Sequence, residues 1–241
     1  MSSIFDTAQV KSYHSDIEEV FLPSSKTYIN WEESKLLDES VEYKEIVMVL
    51  DADRAMATPE ASLPKGFSFR FFSGEEDIEN WCRIEASVKE FASETDARKH
   101  FQNEFSTRIE DLKKRCIFIL NEDGLPIATA MGWLSNADIK SRLHWIAVCP
   151  EYQGLGLGKL VSQKAINVCA ELLPNQPVWL STQTTSHRAV LMYHKFGFNM
   201  LKSEMQLKER SSYIEDYDKA IEILATVLKP EDVKSLRGTT V

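Results

Sequence analysis

The clearest change of period along the chain falls at residue 150. Residues 143–149, Leu-His-Trp-Ile-Ala-Val-Cys, form a short apolar run with β-branched residues and a Trp, the pattern of a buried strand. Pro150 ends that run, because proline biases the residue before it toward extended geometry and donates nothing to a ladder. From there on, Leu157, Val161, Ala165, Val168 and Leu172 fall three or four apart, which is the spacing of one helix face. The stretch predicts strand, tight turn and helix, with the helix starting near Gly156.

The same two periods organise the rest. Residues 46–50 are a short buried strand, and residues 66–72 alternate as a strand does. Ser73 and Glu76 have capping-box spacing, ahead of a helix that places Ile78, Trp81, Cys82, Glu85 and Val88 on one face. Ser93 announces a second helix carrying Phe101, Phe105, Ile109 and Leu112. Residues 116–120 and 127–134, joined through a turn at 121–124, predict a hairpin. A buried strand at 178–182 is followed by a capped helix that ends at Gly197, and a last strand is expected around 200–207.

Ser212 and Glu215 then cap a helix with Ile214, Tyr217, Ile221, Leu224 and Leu228 on one side. That stripe needs a partner: its own domain or the N-terminal segment first, a homodimer interface or a lid otherwise. Residues 1–40 have no clean period, yet Val20, Phe21, Leu22, Tyr28, Ile29 and Trp31 make them too apolar for a tail, and they are expected to pack on the body. Pro59 and Pro64 place a boundary near residues 61–65.

At 241 residues and 43% hydrophobic content, the chain can bury one sizeable core. No apolar run approaches the ~20 residues that cross a bilayer, and the first 20 residues are polar and acidic, so a cytoplasmic protein without membrane partners is expected. The balance of 28 basic against 37 acidic residues, a formal charge of −9, argues against nucleic-acid binding and mildly favours a cationic amine as substrate. Cys82, Cys116, Cys149 and Cys169 lack metal-ligand spacing and read as reduced core thiols; no metal site is expected.

The turn after Pro150 holds Gly154, Gly156 and Gly158, three glycines in five positions at the start of a helix. The first helical N–H groups have no intrahelical partner, and without side chains over them an anion such as a diphosphate can approach, with Lys159 adding charge. A Walker loop is excluded because Gln153 and Leu160 stand where it needs Gly and Ser or Thr. The dinucleotide fingerprint counted from Gly154 meets Lys159 at its third glycine. A glycine-rich turn that only packs tightly is the other reading of these residues.

Gln153-x-x-Gly156-x-Gly158 resembles the acyl-coenzyme A pyrophosphate loop, Gln/Arg-x-x-Gly-x-Gly/Ala, of the GNAT superfamily of N-acetyltransferases. Residues 186–198 are similar to that superfamily's Asn-x-x-Ala-x-x-x-Tyr-x-x-x-Gly-Phe segment, with Ser186 in place of Asn. Both motifs stand in the expected order and separation. The resemblance covers residues 66–209 as an acetyltransferase domain, with 1–65 as an N-terminal extension packing on the core and 210–241 as a C-terminal helix and tail. It implies an α/β (α+β) fold: a mixed, mostly antiparallel sheet with a splayed central strand and flanking helices.

It also implies roles. Gln153, Gly154, Leu155, Gly156, Leu157, Gly158 and Lys159 would hold the pyrophosphate of acetyl-coenzyme A, and Ser186 the pantetheine arm. Backbone N–H groups of Ile146, Ala147 and Val148 would face the thioester carbonyl. His144 matches the His of the arylalkylamine branch, which serves as catalytic base or as a member of a water chain, so the base is His144 or a bound water, and Tyr193 matches the general acid that protonates the leaving thiolate. Read without the resemblance, His144 is a buried imidazole bonded to a carbonyl and Tyr193 a core residue. Trp81, Glu85 and Trp133, with Phe91, are candidates for an aromatic and anionic acceptor pocket.

No Cys or Ser stands in a nucleophile constellation, so direct transfer in a ternary complex is expected, to a small-molecule amine or, second, a peptide or protein amine. A catalytically inactive acyl-coenzyme A sensor or assembly module is the alternative.

Overall fold

A computed structural model describes residues 38–136, 139–202 and 213–238. Among them, seven strands form one sheet: β1 (Glu45–Leu50), β2 (Ser68–Phe71), β3 (Cys116–Leu120), β4 (Pro126–Leu134), β5 (Ser141–Val148), β6 (Val178–Gln183) and β7 (Asn199–Met200). Their order is β2-β3-β4-β5-β6-β1-β7, and every pairing is antiparallel except β5 with β6. The helices are α1 (Ala52–Met56), α2 (Glu75–Ser87), α3 (Glu94–Phe105), α4 (Ile109–Arg115), α5 (Leu157–Leu172), α6 (His187–Phe196), α7 (Tyr213–Val227) and α8 (Pro230–Gly238).

Alternation along the strands divides the apolar residues between two layers. On β3, Ile117 and Ile119 join β1 and α5 in one core, while Cys116 and Phe118 join α2, α3 and α4 in the other. The face of α5 expected from its spacing is the buried one: Leu157, Val161, Ala165 and Val168 pack on the sheet. The helix crosses β4 at Gly132, where a Cβ would lie 2.7 Å from the Ala165 carbonyl oxygen, so only glycine permits the approach.

Two local features open the middle of the sheet. The parallel β5–β6 pairing is confined to Ser141↔Val178 and Arg142↔Trp179, after which the strands part. Between β4 and β5 the register runs from Thr129↔Ala147 to Met131↔His144, two steps on β4 against three on β5, a bulge that places Trp145 at φ 47°. The central strand is thus splayed from one neighbour and bulged against the other.

Several expectations are corrected. The strand expected at 46–50 is part of the same sheet: β1 lies between β6 and the edge strand β7, although it stands upstream of the boundary read from Pro59 and Pro64. Phe101, Phe105, Ile109 and Leu112 do not share one helix, because the chain turns between α3 and α4, where Arg108 bonds Asp111. Ser73 and Glu76 form no capping box. Gly74 occupies the cap position, and the Asp77 carboxylate instead accepts from the Ser73 N–H at 2.7 Å and from both terminal nitrogens of Arg70. Ser93 does cap α3, accepting from the Asp96 N–H.

Tyr217, Ile221 and Leu224 share the core of Ile46, Met48 and Leu50 on β1. The expectations for residues 1–37, the strand beyond residue 202 and the cap at Ser212 lie outside the described residues. All four cysteines are buried and free, and no helix among the described residues is long and apolar enough to cross a membrane.

Candidate functional site

After β5 the chain makes a 3₁₀ turn at Pro150–Tyr152 and reaches α5 through residues 153–156. The Gln153 side chain turns back and donates from Nε2 to the Val148 carbonyl oxygen at 2.9 Å, closing the loop onto the end of the strand. Gly154 and Gly156 take left-handed backbone, φ 78° and 79°, and among the described residues a Cβ on either would meet nothing within 4 Å. The glycines are therefore needed for conformation, and the space before them is open. The start of α5 has no side-chain cap and no acidic residue in its first turn. Leu157 is buried and anchors the helix, whereas Lys159 and Leu155 are exposed. Gly158 faces inward, its Cβ position 3.6 Å from Val148 Cγ2.

Where β5 and β6 part, a cavity of about 370 Å³ opens. It brings together His144, Ile146 and Ala147 of β5, Ser186 and Tyr193, and Glu85 of α2. Residues 181–183 of β6 form the opposite wall. Val148 and the loop residues do not line it. Ser186, expected as a helix cap, makes no such bond: a 3₁₀ turn at Thr184–Ser186 leads into α6, and it is the Thr184 hydroxyl that is engaged, donating to the Glu42 carbonyl and accepting from the Lys44 N–H.

His144 is held from behind. Its Nε2 lies 2.9 Å from Glu104 Oε1, while Glu104 Oε2 accepts from Trp145 Nε1 at 3.2 Å and lies 2.7 Å from His100 Nε2. Burial opposes ionisation of Glu104, but the hydrogen bonds and charges of His144 and His100 outweigh it and hold the carboxyl at about 2. Burial dominates at His144 and, against the Glu104 hydrogen bond, lowers it to about 4, so the imidazole is neutral at pH 7. With Glu104 ionised, Nε2 must donate, and the lone pair is on Nδ1.

Glu85 is wholly buried and, among the described residues, neither carboxylate oxygen has a hydrogen-bond partner. Burial, helped by the nearby charge of Glu90, raises its pKa well above the carboxylate range and so favours its protonated form. Burial, with the same Glu90 charge adding to it, pushes the Tyr193 phenol upward, which secures its proton.

The two tryptophans expected in an acceptor pocket do not line the cavity. Trp81 is fully buried among Phe101, Phe105 and Trp145, and Trp133 packs against Phe105 with the Arg108 guanidinium 4.4 Å from its ring centroid. Their large apolar surfaces are used to seal α2 and α3 onto the sheet. Phe91 stacks on the Trp145 ring at 5.4 Å. Sequence reading missed Glu104, whose one local signal was its position four residues after His100 on α3.

The profile of the acetyltransferase (GNAT) family matches residues 78–198. A curated relative, mycothiol acetyltransferase of Pseudarthrobacter chlorophenolicus, is 26% identical over 147 residues, covering 58% of this chain and 45% of the relative. The chain thus spans a little under half of that relative's length. Among solved structures, a GCN5-related N-acetyltransferase from Sphaerobacter thermophilus superposes with a TM-score of 0.51 at 19% identity, over 66% of this chain and 49% of the other. A Drosophila protein gives 0.50 at 17% identity, over 66% and 48%. These two likenesses concern the fold.

Proposed function

The chain belongs to the acetyltransferase (GNAT) family, and from that premise we propose that it moves an acetyl group from acetyl-coenzyme A to a primary amine by direct transfer in a ternary complex. The acceptor is a small-molecule amine first and a peptide or protein amine second. The observation that carries this reading is that an imidazole with a bare Nδ1 and a protonated phenol, His144 and Tyr193, line one cavity at the splay of β5 from β6.

The residues at the turn suit the cosubstrate. Gly154 and Gly156 leave the approach open, the first amides of α5 carry no cap, and Lys159 is exposed beside them. These groups would take the diphosphate, with Gln153 serving the loop rather than the ligand. The bulge at Trp145 interrupts the β4–β5 pairing next to Ile146, and the parting of β5 from β6 removes the ladder on the other side. Of residues 146–148 it is therefore Ile146, unpaired and lining the cavity, whose backbone N–H would serve the thioester carbonyl, while Ala147 and Val148 stay in register with Thr129 and Ala128.

One proton of the acceptor ammonium passes to His144 Nδ1. The neutral nitrogen attacks the thioester carbon, so that the C–N bond forms as the C–S bond breaks. Tyr193 gives its proton to sulfur and takes back the one that nitrogen sheds. Amide and thiol leave, and the imidazolium returns one proton to water. Glu85, whose carboxyl has no other partner among the described residues, faces the acceptor's positive charge.

The test is thiol release from acetyl-coenzyme A across a panel of arylalkylamines, polyamines, amino sugars and peptides with free N-termini. Turnover with a small amine is expected. Tight coenzyme binding with no turnover on any member would replace this reading with the sensor.

A further inference from the structure

Resting on the reading of His144 as the base, we propose that Glu104 is its positioning residue, fixing the imidazole with Nδ1 toward the cavity and compensating the charge that develops when it takes the acceptor's proton. Glu104 comes from α3, across the aromatic layer from β5, and its carboxylate is held at both oxygens. Oε1 meets His144 Nε2 at 2.9 Å, and Oε2 meets Trp145 Nε1 at 3.2 Å and His100 Nε2 at 2.7 Å.

The Trp145 contact follows from the bulge. With its backbone at φ 47°, Trp145 lies over α3 next to His144, the two ring centroids 5.0 Å apart, so consecutive residues of β5 present N–H donors to one carboxylate. In a regular strand they would point to opposite faces. The strained bulge and the carboxylate therefore belong to one device, and a carboxylate anchored by two other donors cannot swing away when the imidazole rotates or ionises.

The charges around His144 show why such a partner is needed. Arg142 on its own strand and His100 on α3 both disfavour an imidazolium, and burial does so most strongly. Glu85 on α2, Glu90 beyond it and Tyr193 on α6 line the same cavity, and burial raises the pKa of all three, whereas Glu104 is held low by its hydrogen bonds. Glu104 is the fixed anion within hydrogen-bond reach of the ring. Without it, the ring loses its orienting acceptor and the counter-charge that makes proton transfer from an ammonium feasible.

Glu104→Gln keeps the side chain's shape and removes its charge. The expected result is a fall in kcat of about 100-fold or more, with the KM for acetyl-coenzyme A within about twofold of the parent, since general-base assistance is worth about 10²–10⁴. Glu104→Asp, which restores the charge, recovers part of that loss. In a His144→Gln background the Glu104→Gln change costs less than about threefold, because no imidazole remains to be positioned. Parental kcat in Glu104→Gln, or equal losses in both backgrounds, would overturn the proposal and leave acetyl transfer standing.

A second readout needs no turnover. Imidazole nitrogen shifts of the unsubstituted protein at pH 7 are expected to show His144 neutral, protonated at Nε2 and bare at Nδ1. A proton on Nδ1 would overturn the assignment even in a protein that acetylates no amine, an outcome that would separately defeat the proposed function.

Discussion

Gly156→Val is expected to weaken coenzyme A binding by about 100-fold or more, measured as the dissociation constant by calorimetry. Two effects combine in that figure. The backbone at φ 79° disfavours a β-branched residue, which distorts the turn, and the new side chain projects into the open space through which the diphosphate would reach the first amides of α5. Two charge-assisted hydrogen bonds lost, at about 1.5–3 kcal/mol each, correspond to that factor or more. Strain alone is separated by Gly124→Val in the β3–β4 turn, where the backbone lies at φ 77° and a Cβ also meets nothing within 4 Å. That variant should lose comparable thermal stability and bind coenzyme A as the parent does. Equal binding by the two variants would remove the loop from the ligand site.

His144→Gln is expected to lower kcat by about 10²–10⁴ and to leave the coenzyme dissociation constant unchanged, because the side chain lies in the cavity and away from the turn. The pH profile adds a signature. Since burial lowers the imidazole to about 4, the base is neutral and competent throughout the neutral range, and it is lost only as pH falls through about 4. The acidic limb of kcat/KM in the parent should therefore stand well below the 6.5 of an ordinary histidine. A limb near 6.5 that survives in His144→Gln would belong to another group and would remove His144 from the chemistry.

The parts of this molecule written in the sequence are those governed by neighbours along the chain. The change of period at Pro150 locates β5 and α5 because strand, turn and helix each impose a local spacing, and Gly154 and Gly156 stand out because their backbone conformation is one that few other residues adopt. The place of β1 inside the sheet was hidden, because pairing with β6 joins residues some 130 positions apart and leaves no trace in the spacing of either strand. Trp81 and Trp133 were misplaced for a related reason. An aromatic residue on a helix or strand face reads the same whether it seals a core or lines a pocket, and only the packing of α2 and α3 on β4 decides. Glu104 carried almost no signal. Its partners His144 and Trp145 come from another element, and they meet it together only because a bulge turns two consecutive residues of β5 toward one carboxylate.

The most direct measurement is a crystal structure grown with coenzyme A. The diphosphate is expected within hydrogen-bond distance of the backbone N–H groups at the start of α5, with the thiol end in the cavity between β5 and β6 beside His144 and Tyr193. A coenzyme bound in another cleft, with the turn after Pro150 empty, would contradict the assignment of both the loop and the cavity.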